Sequence, residues 1–181
     1  MPLLDPVLEM SLRGAAAFLF ISAAWHKVRD PIAFWQVLDA YKLLPEKLVR
    51  SISRAVPLVE LITGASLLAM PSSAIPLVMA IGLWALYGAA ISINLLRGRT
   101  QLECGCGGVA ADQTIRWTLV VRNIFLAGFT ALLFLPEAVR ELVWLDFVTI
   151  VFGGLMLILL YAAADHLMRN SALLSNEGAH P

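Results

Sequence analysis

Two cysteines carry most of the chemistry open to this sequence. Cys104 and Cys106 are the only cysteines in 181 residues, one residue apart in Leu102-Glu103-Cys104-Gly105-Cys106-Gly107-Gly108. A disulfide needs Cα atoms within roughly 7 Å and facing Cβ atoms. An extended i, i+2 pair lies at the edge of that range, and a sharp turn brings it inside. Gly105 can supply positive φ for such a turn, and Gly107 and Gly108 free the exit. The ring so closed is very small, and strain in it would make the bond easier to reduce. A bracing disulfide gains most from closing a long loop, so this pair suits electron exchange better than bracing. The thiolate is the reactive form, and the cations of Arg97, Arg99 or Arg116 would favour it while Glu103 opposes it. Cys-x-Cys also offers two soft ligands for Cu(I), zinc or mercury. A closed zinc site needs four ligands, so no resident metal or other cofactor is expected.

The surroundings are a membrane protein. Hydrophobic residues make up 60% of the chain, charged residues only 14%, and mean hydropathy is +0.81. A soluble domain is nearer 45–50% apolar and about 25% charged. No nucleic-acid partner is expected. Met1 to Pro6 lacks a basic n-region and no small-residue cleavage site follows, so the first apolar segment is expected to stay in the mature protein.

A helix needs about 20 apolar residues to span the hydrocarbon. The first such segment runs from about Pro6 to Trp25, with Glu9 and Arg13 four apart on one face. His26, Lys27 and Arg29 mark its far interface. Asp30-Pro31 starts a short amphipathic helix, Ile32 to Leu44, that lies on the membrane surface. Further spans run over about Leu48–Met70, Ala74–Leu96, Arg116–Leu135 and Val143–Ala164. Gly88 and Ser92 form a small-xxx-small pair that favours close packing. The cysteine loop occupies Thr100 to about Ile115. The predicted fold is all-α, a transmembrane bundle of four to five spans with a surface helix. It is read as one domain over residues 1–170 with a flexible tail, 171–181.

Basic residues cluster at the end of the bundle that carries the cysteine loop. The positive-inside rule places that end in the cytoplasm. Arg13, Glu60 and Arg122 fall within spans, where each costs at least ~2.5 kcal/mol in lipid and must find a partner inside the bundle. Glu60 is expected to pair with Arg122 or Arg13, with Asn94 and Asn123 as hydrogen-bonding neighbours. These residues, with Lys27, either support the redox site or simply fasten the helices.

The motif string resembles a known family. His26-Lys27 with Asp30-Pro31, Tyr41 to Pro45 (YKLLP), Pro57 to Glu60 (PLVE), Asn94 to Gly108 (NLLRGRTQLECGCGG) and Trp117 to Asn123 (WTLVVRN) look like the methylamine utilisation protein MauE family over about residues 10 to 130. The resemblance implies a multi-pass protein of the bacterial inner membrane, related to DoxX-like bundles, that works in the maturation of methylamine dehydrogenase. It also implies a thioredoxin-like periplasmic partner, MauD. The expected function is a dithiol–disulfide carrier in which Cys104 or Cys106 attacks and the other resolves. A cytoplasmic loop would then require the pair to dip into the bundle or to exchange with a quinone. A non-enzymatic membrane scaffold for the partner and a soft-metal transporter are the alternatives.

Overall fold

In a computed structural model the chain is a helical bundle, and the structure describes residues 4–105, 114–138 and 140–177. The helices are α1 (Pro6–Arg29), α2 (Pro31–Ala40), α3 (Glu46–Ala69), α4 (Ile75–Leu96), α5 (Trp117–Leu132) and α6 (Trp144–Glu177). Each of the first two starts with the same device. The Asp5 carboxylate accepts the Val7 N–H at 2.8 Å ahead of Pro6, and that of Asp30 accepts the Ala33 N–H at 3.0 Å ahead of Pro31. An aspartate at N-cap satisfies an orphan donor, and a proline in the first turn has no N–H to leave orphaned.

The segments α1, α3, α4 and Trp144–Met168 of α6 are long and apolar enough to cross a membrane. The fourth expected span is shorter than its apolar run. α5 has 16 residues, about 24 Å of helix, because Leu133 to Leu135 fold into turns onto Thr130, Ala131 and Leu132. α6 runs on to Glu177, well past Ala164, since no proline or glycine interrupts Ala164 to Glu177. The surface helix α2 stops at Ala40 rather than Leu44. Pro45 disfavours helical backbone at Leu44, and the chain turns at Lys42, which adopts φ +48.

Helix α1 is the central element and packs on α3 and α6, while α4 packs on α5. Gly64 sets the α1–α3 approach: a Cβ there would lie 2.7 Å from Ile21 Cγ1 and 3.0 Å from the Ala17 carbonyl. One apolar cluster fills the middle, with the Phe20 and Trp84 rings 4.4 Å apart among Leu67, Leu77, Ala80 and Leu83. A second, of Tyr41, Ile91, Ile115, Leu119 and Val120, lies at the cysteine-loop end. Ile124, Phe125, Val151 and Phe152 face outward and are largely exposed. Apolar surface on this scale marks a lipid-facing exterior.

The two ends differ. At one, the start of the chain pairs with the α5–α6 connection: the Leu4 N–H donates to the Pro136 carbonyl and the Ala138 N–H to the Leu4 carbonyl, both at 2.9 Å. Arg140 bridges Asp5 (3.1 Å) and Asp146 (2.7 Å) there. The opposite end holds α2 and the entry to the cysteine loop.

Candidate functional site

The neck of the cysteine loop is closed by backbone. The Ile115 N–H donates to the Leu102 carbonyl at 2.8 Å, and Glu103 forms an antiparallel bridge with Thr114. Just past this bridge, Cys104 is half-buried against the second apolar cluster. The buried Tyr41 hydroxyl donates to the Cys104 carbonyl at 3.0 Å. Burial among apolar neighbours pushes the Tyr41 phenol well above its usual range, so it stays a donor. Gly105 takes φ +61, as its position in the motif suggests. A Cβ there would come within 2.5 Å of Val37 Cγ1 and 3.9 Å of Phe34 on α2. The loop is therefore seated against α2, and only glycine fits both the backbone and the space. The Cys104 sulfur is not a free thiol. Cys106, Gly107, Gly108 and Val109 to Ala111 lie outside the described residues.

The cations near the loop have a definite task. Arg99 donates to the Ala40 and Tyr41 carbonyls at 3.1 and 3.3 Å, and Arg97 reaches the Lys42 carbonyl at 3.5 Å. These are the carbonyls at and just past the C-terminus of α2, which lack helical partners and attract positive charge. Arg116 binds the Thr114 hydroxyl at 3.2 Å. Three of the basic residues thus tie α2 and the loop neck together.

Among the described residues three acid–base pairs lie within the helices, two of them joining one helix to another, and two differ from the sequence expectation. Glu60 pairs with neither Arg13 nor Arg122. Its Oε1 lies 2.8 Å from Lys27 Nζ and accepts the Tyr87 hydroxyl at 2.5 Å. Lys27, read from sequence as an interfacial cation, is buried, with its ammonium 5.3 Å from the Phe34 ring centre and 5.5 Å from that of Tyr87. This joins α1, α3 and α4 through one carboxylate, and the lysine ammonium carries the contact on to Phe34 of α2. The reason is reach: the long lysine stem extends from the last turns of α1 to mid-α3, which sequence separation hides. Arg13 instead pairs with Glu9 on its own helix, Nε to Oε1 at 2.6 Å, as the i, i+4 spacing predicts. Arg122 pairs with Asp165 at 2.7 Å, linking α5 to α6, beside the Tyr161 ring.

Asn94 and Asn123 are fully buried, as expected of span residues. Each donates to its own helix, to the Ala90 carbonyl at 3.1 Å and the Leu119 carbonyl at 2.7 Å, rather than to Glu60. Gly88 of α4 faces Asn123 of α5, and a Cβ on it would lie 3.6 Å from Asn123 Cβ, an ordinary contact, so the space here does not demand glycine. His26 is exposed. The sequence reading missed Tyr41, Phe34, Tyr87 and Asp165 as site-shaping residues. No local spacing links Tyr41 to Cys104 or Asp165 to Arg122.

A family profile described as "Methylamine utilisation protein MauE" matches residues 5–136. Curated relatives named "Methylamine utilization protein MauE" include one from Paracoccus versutus, 36% identical over 165 residues, covering 90% of this chain and 88% of the relative. One from Paracoccus denitrificans is 35% identical over 126 residues, 70% of this chain and 68% of the relative. One from Methylorubrum extorquens is 33% identical, covering 90% of this chain and 88% of the relative. No solved structure matches the chain significantly. The matched span holds α1 to α5, the cysteine loop and the Lys27–Glu60 pair. The chain belongs to the MauE family.

Proposed function

We propose that this protein acts in methylamine utilisation, in the maturation of methylamine dehydrogenase, as a dithiol–disulfide carrier of the bacterial inner membrane. The names of its relatives support the setting. The observation that carries the chemistry is the seating of Cys104. Its backbone is held by Tyr41, its neck is closed by the Glu103–Thr114 bridge, and the following glycine turns at φ +61 against α2. A reactive pair needs such a fixed frame beneath an accessible sulfur.

In the exchange, the thiolate of one cysteine attacks a disulfide of a thioredoxin-like partner. A mixed disulfide forms and the partner's leaving sulfur takes up a proton. The second cysteine then attacks the mixed bond, forming the Cys104–Cys106 disulfide and releasing the partner as a dithiol. Two electrons and two protons pass, and the reverse direction returns them. The Lys27–Glu60–Tyr87 group fixes α1, α3 and α4 beneath α2, and so fixes the surface on which the loop rests.

The test is client maturation in cells carrying Cys104→Ser, Cys106→Ser or both. Loss of mature, disulfide-bonded methylamine dehydrogenase in all three, with the variants present in the membrane at normal levels, is expected. Normal maturation by the double variant would make the protein a scaffold instead.

A further inference from the structure

We infer that the outer ridge of α3 binds the headgroup of an anionic phospholipid. Lys47, Arg50 and Arg54 follow one another at spacings of three and four, so they stack on one helix face. All three are exposed. The same ridge then turns apolar: Leu58, Leu61 and Leu68 continue it at helical spacing and are exposed as well.

The cations at this end of the bundle fall into two groups. Arg97, Arg99 and Arg116 hold α2 and the loop neck, and Lys42 pairs with Asp39 at 2.6 Å. Among the described residues, Lys47, Arg50 and Arg54 meet no acidic side chain. Glu46, the one acid between positions 46 and 54, stands four residues before Arg50 but forms no ion pair with it. Like charges three and four residues apart repel. The start of a helix also carries the positive end of its dipole, and Pro45 at N-cap gives no side-chain hydrogen bond to offset it. A phosphate relieves both the repulsion and the adverse dipole.

The rest of the ridge decides where that phosphate comes from. Lys47 to Arg54 cover about 10 Å of helix axis, close to the roughly 5–8 Å of each headgroup layer. Leu58 opens the apolar stretch one turn further on. A phospholipid offers an anion joined to hydrocarbon in that same order. The arginine stems can lie along apolar surface while their guanidinium groups meet the phosphate. A soluble phosphate or an acidic peptide would use the cations alone. Helix α2 packs on α3 and seats the cysteine loop at Gly105, so a bound headgroup holds the loop's support at the membrane surface. Binding itself does not depend on the carrier reading.

The experiment is native mass spectrometry of the purified full-length protein in detergent, mixed with equimolar phosphatidylglycerol and phosphatidylcholine of the same acyl chains. Preferential retention of phosphatidylglycerol is expected, and it should fall as salt rises. Lys47→Gln, Arg50→Gln and Arg54→Gln should each lower the preference about fivefold, and the triple glutamine variant should retain the two lipids alike. The triple exchange Lys47→Arg, Arg50→Lys, Arg54→Lys keeps the charges and should keep the preference. These positions are exposed, and thermal unfolding in detergent checks that each variant is folded. The Cys104→Ser, Cys106→Ser protein should bind like the wild type, so loss of thiol exchange and loss of lipid binding are read separately. Excess glycerol phosphate should leave the lipid in place. Displacement by it, equal retention of both lipids by the wild type, or an undiminished preference in the triple glutamine variant would overturn the inference.

Discussion

Lys27 and Glu60 meet at 2.8 Å in the interior although 33 positions separate them. The Phe34 ring that faces the lysine ammonium is also the α2 side chain nearest, after Val37, to the glycine that follows Cys104. A buried charge pair in the spans is thus one contact away from the segment that seats the cysteine loop.

That arrangement predicts a non-additive mutant series. Glu60→Gln or Lys27→Met alone strips a buried charge of its counter-ion and should destabilise the protein by roughly 3–5 kcal/mol. The Lys27→Met, Glu60→Met double variant removes both charges and should recover most of that stability. Thermal unfolding in detergent reads the cycle. Simple addition of the two single effects would mean that the ions do not act as a pair. A refolded double variant that nevertheless fails in client maturation would give the pair a part in function as well.

Tyr41 gives a prediction in pH. Burial raises its pKa, so the phenol's contribution is fully present below the ordinary tyrosine value near 10 and is lost only as pH rises through the higher folded value. The hydrogen bond to the Cys104 carbonyl should therefore hold across the physiological range. Tyr41→Phe should lose about 1 kcal/mol and free the loop, so that reduced Cys104 alkylates faster at pH 7. An unchanged alkylation rate would mean that the hydroxyl does not hold the loop.

At the opposite end the sign reverses. The Arg140 side chain, helped by the Val7 N–H, holds Asp5 below the usual carboxylate range. Its contribution is present above the unfolded value of about 3.9 and is lost as pH falls through the lower folded value. Amide exchange at Leu4 and Ala138, which pair across this junction, should stay slow until that lower pH and then rise. Asp5→Asn keeps a capping side chain but loses the charge, and its exchange should show no such acid step. An identical step in both proteins would assign it to another group.

Sidedness is open to a direct assay. Arg29, Lys42, Lys47, Arg97, Arg99 and Arg116 lie at the cysteine-loop end, whereas Arg140 lies at the other. Lys27 drops out of this comparison because Glu60 neutralises it. By the positive-inside rule the remaining bias predicts a cytoplasmic loop. A reporter that is active only in the periplasm, fused after Arg99, should be silent. Activity there would reverse the orientation and bring the pair directly to a periplasmic partner.

What the sequence made legible follows from how local each feature is. The spans α1, α3 and α4 are read from apolar length alone, and the Asp30-Pro31 start and the Glu9–Arg13 pair depend on neighbours within one turn. The partners of Glu60 and Arg122 depend on the rotation of one helix against another, which no single segment encodes. The length of α5 was hidden because Leu133 to Leu135 are as apolar as the helix they terminate. For the cysteines, the sequence located the pair and the need for glycine at 105, while the support from Tyr41 and Val37 came from packing over 63 and 68 positions.

Thiol trapping of Cys104 and Cys106 in living cells tests the central claim most directly. Cells are acid-quenched and alkylated, with and without the thioredoxin-like partner, during client synthesis. The two sulfurs should be found partly as dithiol and partly as disulfide, with the ratio shifting when the partner is deleted. A pair that stays wholly in one state under both conditions would contradict the carrier account.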